Sequence, residues 1–156
     1  MIVVNTSFRV ALWADALFAM DEKWWQEYRK EVEASFQGLR LSICSNSRSL
    51  GVTQVMQKKQ AMTTYGNSGA GAIALAFLWG ASKVIMLGYD CQRTGGKTHW
   101  HGDHPKTLGN AKSMPRWGEQ FKTLRRELKG EIVNCTRQTS LTMFQRKDLE
   151  DVLCPT

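Results

Sequence analysis

The stretch TYGNSGAGAIALAFLWGASKVIMLGYD, residues 64–90, decides the fold class. It opens on a small-residue turn, Thr64 to Gly71, rich in glycine with Asn67 and Ser68 inside it. Ala70–Trp79 is apolar on every face, the pattern of a helix that packs on both sides, as helices covering a sheet do. Lys83–Gly88 follows as an unbroken apolar run. Continuous rather than alternating hydrophobicity predicts a central parallel strand. Gly88-Tyr89-Asp90 then turns polar at once.

Working outward, the same alternation continues on both sides. Met1–Asn5 reads as a short strand, and Thr6–Arg9 as a polar loop. Asp15–Met20 is strand-like in length, although its Ala and Leu also allow a helix. Asp21 reads as the N-cap of a helix whose buried stripe is Trp25, Tyr28, Val32 and Phe36, with Gly38 as its stop. Leu39–Cys44 alternates as a strand does, and Val52–Met56 suits an edge strand. Cys91–Met114 reads as one long polar loop with four glycines and Pro105, a length typical of functional lids or of disordered segments. Pro115 fits the first turn of a further helix with Trp117, Phe121, Leu124 and Leu128 inward. Gly130 ends it, Glu131–Cys135 is a last strand, and Asp148–Leu153 is a helical turn or two. Strands alternating with helices predict one three-layer α/β domain over residues 1–156 with a mostly parallel sheet.

The formal net charge of +7 is unevenly spread: residues 1–90 carry nine Lys and Arg against seven Asp and Glu, and residues 91–156 carry twelve against seven. A basic second half suits an anionic ligand such as a nucleotide, a sugar phosphate or a nucleic acid, and equally a solubilising surface. The four cysteines, Cys44, Cys91, Cys135 and Cys154, show no CxxC spacing. That argues against a zinc knuckle or a disulfide framework and fits reduced thiols in a cytoplasm. Met1–Asn5 lacks the basic start and apolar run of a signal peptide. Gly69–Gly80 is too short to cross a bilayer, so no membrane role is expected.

Four places carry candidate chemistry. In the turn Thr64–Gly71, free N–H groups at a helix start favour an anion. Gly66, Asn67, Ser68 and Gly69 are the candidate contacts to a nucleotide. The spacing is neither a Walker A nor a full GxGxxG, and small residues here also serve tight helix–sheet packing. Asp90 sits where ligands of open α/β sheets bind, beyond a strand's carboxyl end. It suits a ribose hydroxyl or a divalent metal, and it equally suits a simple turn cap. All three histidines of the chain fall in His99-Trp100-His101-Gly102-Asp103-His104. The string HxHxDH matches the metal signature of metallo-β-lactamase-like hydrolases but lacks their downstream histidines. A three-His metal site, a general base, a phosphate contact and a His-rich surface loop remain the readings. Finally, Trp24 and Trp25 at a helix start suit stacking on a base or sugar. Trp25 falls on the buried stripe, so at least one of the pair belongs to the core.

The run Asn67–Ala76, then Gly80, then Val84–Asp90, resembles the bacterial sialyltransferases of glycosyltransferase family 42 and the MptE-like hydroxymethylpterin pyrophosphokinases. The pattern Val4-Asn5, Trp13-Ala14-Asp15, Asp21 with Trp24-Trp25, His101–Pro105, Leu108–Asn110 and Asn134-Cys135 is similar to tailed-phage proteins and covers nearly the whole chain. The resemblance implies a Rossmann-like fold. It also implies a phage or prophage protein in a bacterial cytoplasm that binds a nucleotide or nucleotide-sugar and transfers a glycosyl or diphosphate group. Asn67, Ser68 and Gly69 would contact ribose or phosphate, Asp90 would lie by the same ligand, and His104 would stand for the catalytic histidine. Those families open with a strand and a GxGPS-type turn, whereas this sequence starts at what reads as the following strand. A shortened or repurposed relative is therefore one expectation, with a non-catalytic nucleotide or nucleic-acid binder and a metal-dependent hydrolase as alternatives. An open sheet edge at that point makes a homodimer a further expectation.

Overall fold

The computed structural model describes residues 1–55, 63–93, 95–96, 101–105, 107–109 and 112–154. Seven strands and four helices occur among them: β1 (Ile2–Val4), β2 (Ala16–Phe18), α1 (Glu22–Ser35), β3 (Leu39–Ser42), β4 (Thr53–Gln54), α2 (Ser68–Leu78), β5 (Lys83–Met86), α3 (Met114–Glu127), β6 (Glu131–Asn134), β7 (Gln145–Arg146) and α4 (Leu149–Leu153). Every strand pair among the described residues is parallel. The order is β1-β2-β3-β4 in one sheet and β5-β6-β7 in the other.

The alternation of strand side chains makes the layers. In β1 and β2, Val3 and Leu17 join the cluster built on α1 residues Trp24, Trp25, Tyr28 and Val32. Their neighbours Ala16 and Phe18, with half-buried Ile2 and Val4, pack on α2 through Ala72, Ala74 and Leu75. Successive strand residues point to opposite faces, so the sheet is covered on both. A third cluster joins α2 (Ala70, Ile73), α3 (Phe121, Leu124) and strands β5 and β6 (Met86, Ile132). The result is a mostly parallel, three-layer, Rossmann-like α/β arrangement.

Helix α2 packs against both β1 and β5, and small residues permit the approach. A Cβ on Gly71 would come within 2.8 Å of the Phe18 ring, and one on Gly69 within 3.0 Å of the Tyr89 ring. The chain thus runs outward from β1 to β4, returns through α2, and runs outward again from β5 to β7. The seam between β1 and β5 is where the direction reverses.

The elements differ from the sequence expectation in instructive places. Asn5 leaves the strand early and opens a 3-10 turn over Asn5–Val10 that buries Thr6 and Phe8. The expected polar loop is therefore part of the core. A second 3-10 turn, Ser47–Leu50, occupies the expected Ser45–Ser49 loop. Among the described residues β5 pairs with β6 alone and so lies at the seam rather than in the middle of a sheet. Of its apolar run, Met86 is buried and Val84 half-buried against α2 and α3, Ile85 is half-buried and Leu87 is exposed. Strand β7, two exposed residues long, is too short and polar to announce itself. Met56, Lys58 and Lys59 lie outside the described residues.

Candidate functional site

The amino end of α2 is tied to the carboxyl end of β2 through Ser68 and Met20 and to that of β5 through Gly69 and Tyr89. In open α/β sheets the reversal point forms the ligand crevice. The backbone there is unusual. Three non-glycine residues have positive φ: Asn5 (48°) directly after β1, Tyr65 (52°) before α2, and Cys91 (49°) after β5. Left-handed backbone is costly for residues with a Cβ and clusters at functional sites. Gly66 and Gly88, at φ 84° and 74°, extend the same segments. The Oδ1 atom of Asn5 is also shut off from solvent with no hydrogen-bond partner, as is that of Asn46 beyond β3. A buried acceptor left without a donor is destabilising.

The glycine-rich turn holds itself in place. Asn67 is the N-cap of α2: its Oδ1 accepts from Ala70 N at 2.7 Å and its Nδ2 donates to Gln120 Oε1 at 2.9 Å. Gly66 lies against the Gln120 amide, where a Cβ would come within 2.5 Å of Nε2. Ser68 Oγ accepts from Met20 N at 3.1 Å, tying the α2 amino end to the end of β2. Gly69 underlies Tyr89, whose hydroxyl donates to the Gly69 carbonyl at 3.2 Å. Burial drives the Tyr89 phenol far above its ordinary range. The side chains of Asn67 and Ser68 thus serve the turn, and what the α2 start offers a ligand is backbone N–H groups and the positive end of the helix. Burial and Glu127 together push the neighbouring Tyr65 phenol up to about 12.

Asp90 follows β5 and caps its own turn: Oδ1 accepts from Cys91 N at 2.8 Å, and its carbonyl accepts from Ser140 N at 2.9 Å. Burial, with Asp90 alongside, pushes the Cys91 thiol up to about 12. Across the seam, Asp21 holds the N-cap position of α1 without a side-chain cap bond. Its side chain reaches solvent, yet the surrounding protein desolvates it enough to raise its carboxyl above the ordinary range.

His104 lies against α1. Its Nδ1 is 2.8 Å from the Tyr28 hydroxyl, and the His101 ring is centred 4.8 Å from its own. The loop is held onto α1 further along by Thr107 Oγ1 donating to Glu27 Oε2 at 3.2 Å and by Leu108 against the α1 cluster. Arg9 sits 5.4 Å from the Tyr28 ring centre and makes a two-pronged ion pair with Glu31, at 2.6 Å for each bond. Trp24, considered above for stacking, is a core residue: it is 4% exposed, edge-on to Trp25 and Phe8. Fully buried Trp25 donates Nε1–H to the Ala19 carbonyl at 2.9 Å.

Among the described residues no group of three His, Cys, Asp or Glu side chains is arranged to hold a metal ion. His99 and Trp100 lie outside those residues. An open depression lined by Arg146, Lys147, Asp148 and Asp151 lies at the carboxyl end of β7. We place the site at the seam instead, because the strained backbone and the unpaired acceptor are there. No helix among the described residues is long and apolar enough to cross a membrane.

The structure places Gly66, Asn67, Ser68 and Gly69 at the α2 start, Asp90 just after β5, and His104 against Tyr28 of α1. It adds Asn5, Asp21 and Tyr28, which sequence reasoning passed over as a strand end, a cap and a core aromatic. Compared with family models, curated proteins and solved structures, the chain matches none.

Proposed function

We propose that this domain binds a nucleotide or nucleotide-sugar at the seam between β1 and β5. The observation that carries the reading is the coincidence of the topological reversal with three left-handed non-glycine residues, Asn5, Tyr65 and Cys91. In this reading the phosphates meet the backbone N–H groups at the α2 start beside Gly66 and Gly69. The Asp90 carboxylate receives a sugar hydroxyl, and His104 faces the reacting end. The sequence resemblance adds glycosyl or diphosphate transfer as the activity of such a site, in a phage-derived protein. Among the described residues one edge each of β1 and β5 carries no ladder, which supports the expected self-association; sedimentation would read it directly. The test is calorimetry with CMP, CDP, UDP, ATP and CMP-sugars. Micromolar to low-millimolar binding of at least one of them, weakened in Gly69→Val, is the expected result. Heats no greater than dilution for the whole panel would reject the proposal.

A second reading rests on α3. Lys122, Arg125 and Arg126 are exposed at i, i+3 and i+4 of α3 and so share one face. Gln120 and Glu127 reach the glycine-rich turn from a different flank. A basic stripe turned away from the crevice suits a nucleic-acid backbone. Three phosphate contacts would give a slope of about −2.7 in log K against log salt for duplex DNA. Binding that is flat with salt would remove this reading.

A further inference from the structure

Five large apolar side chains stand in solvent at the amino ends of the strands, the end opposite the proposed ligand site. Ala14 N donates to the Ala11 carbonyl at 3.0 Å and closes a turn with Leu12 and Trp13 at its corners. That turn leads straight into β2, whose start is bonded to both neighbouring strands: Ala16 N donates to the Met1 carbonyl at 3.2 Å, and Leu39 N donates to the Asp15 carbonyl at 2.8 Å. Leu12, Trp13 and Leu39 therefore share this end. Helix α2 reaches it from the other direction. Its first residue, Ser68, is tied to Met20 beyond the carboxyl end of β2, and β5 starts at Lys83 soon after its cap residue Trp79. The last turn of α2 thus lies toward the strand starts. Leu41 of β3 and Leu75 of α2 belong to one buried cluster. Leu39 is on the face of β3 that carries Leu41, and Leu78 and Trp79 are one turn on from Leu75. The buried layer between α2 and β3 runs out at this end into side chains open to water. Trp13 is 77% exposed and Trp79 51%, with Leu12, Leu39 and Leu78 at 43%, 57% and 52%.

We propose that this patch is the interface of a two-fold symmetric dimer of the chain. With a tryptophan burying about 150–250 Å² when covered, those exposures leave on the order of 600 Å² across the five residues. The largest apolar patch of a typical monomer is roughly 300–600 Å². The smallest stable interfaces bury about 600 Å² on each partner, so one copy of this patch against another suffices before any polar rim is added. A two-fold interface needs a single patch that matches itself, and an apolar surface does so without charge matching. Two ion pairs stand at the strand starts, the Met1 amino group with Asp15 and Lys83 with Glu131. With those charges paired inside the chain, two copies can close apolar face on apolar face. Trp13 and Trp79 are the anchors, the residue type that most often dominates interface energies. The α2 start and Asp90 lie at the other end of the strands, so the dimer leaves the proposed ligand site open and does not depend on the nucleotide reading. It is also distinct from pairing through the strand edges, and the variants below separate the two.

The experiment is sedimentation velocity and equilibrium of the full chain over a concentration series from 1 to 200 µM, with far-UV circular dichroism to confirm that each variant is folded. The expected result is a monomer–dimer equilibrium with no larger species. Trp13→Ser and Trp79→Ser, on different elements and both exposed, should each raise the dimer Kd at least about 30-fold. Leu87→Ser, at an exposed leucine beyond the carboxyl end of β5, should leave it unchanged. A parent chain that stays monomeric throughout overturns the proposal. A dimer that withstands both tryptophan variants overturns it too, because the contact then lies elsewhere, strand edges included. Growth beyond two chains with concentration overturns the two-fold arrangement.

Discussion

Replacing Gly71 by alanine sets two opposing effects of known sign against each other. Gly71 lies within α2, and alanine there is favoured over glycine by about 1 kcal/mol through backbone entropy. Against it, the new Cβ would stand 2.8 Å and 3.2 Å from two Phe18 ring carbons and 3.3 Å from Thr64 Cγ2. Phe18 is fully buried between Ala16, Leu41 and Leu75, so its ring has little room to retreat. Overpacking of this kind costs about 1–3 kcal/mol. With the helix gain subtracted, the expected outcome is a net loss of roughly 1 kcal/mol, or a fall in Tm of about 2–4 °C for a chain of this size. Gly118 in α3 supplies the control: a Cβ there meets nothing within 4 Å, so Gly118→Ala should raise Tm by about the same amount. Thermal melts followed by far-UV circular dichroism read both. Adding Phe18→Leu to Gly71→Ala should recover part of the loss beyond additivity, because the two sites are in contact. A Tm for Gly71→Ala as high as that of Gly118→Ala would refute the argument that α2 is held against β2 by the absence of a side chain.

Further outcomes follow from the site and its surroundings. Asn67→Ala removes the α2 N-cap acceptor and the bond to Gln120, and should cost about 1 kcal/mol in chemical denaturation. The Arg9 guanidinium holds the Glu31 carboxyl below its ordinary range. A lowered native pKa gives stability that is present above the ordinary glutamate value and is lost as pH falls through the native one. Both side chains are about two-fifths exposed, so Glu31→Gln should cost no more than about 1 kcal/mol at neutral pH, and its Tm should converge with the parent's in acid. A difference that persists at pH 2 would refute the ion-pair assignment. Burial holds the Cys91 thiol up near about 12, whereas Cys154 is exposed. A thiol-specific reagent at pH 8 should therefore label Cys154 well before Cys91, as peptide mapping would show, because the thiolate is the reacting species. Amides on the seam-facing edges of β1 and β5 should exchange faster than those of β2 and β6, since among the described residues each of the former strands has a ladder on one side only.

Much of this was legible from local pattern. The unbroken apolar runs over α2 and β5 and the periodic stripe of α1 are strong local signals, and each became an element within a few residues of its expected bounds. The weaker signals were those in which neighbours decide the outcome. Thr6–Arg9 is polar in sequence, yet Thr6 and Phe8 are buried because Trp24 requires an acceptor and an aromatic edge beside it. The Trp24-Trp25 pair offered a stacking surface in sequence, and the fold turned both rings inward.

The division of labour is sharpest at the site. The sequence by itself determined the fold class, because hydrophobic periodicity is a property of neighbours along the chain. It also marked the α2 start and Asp90, because glycine-rich turns and strand ends are local features. Only the tertiary structure decided that Asn67 and Ser68 spend their side chains on Ala70, Gln120 and Met20. It alone placed Asn5 in a strained conformation with an unpaired oxygen at the reversal point, and it alone connected His104 to Tyr28, 76 residues away in sequence. Hydrogen bonds between distant segments leave no periodic trace in composition or spacing. Burial removes the water that would otherwise satisfy each polar group, so which partner it finds depends on the packed arrangement of the whole chain.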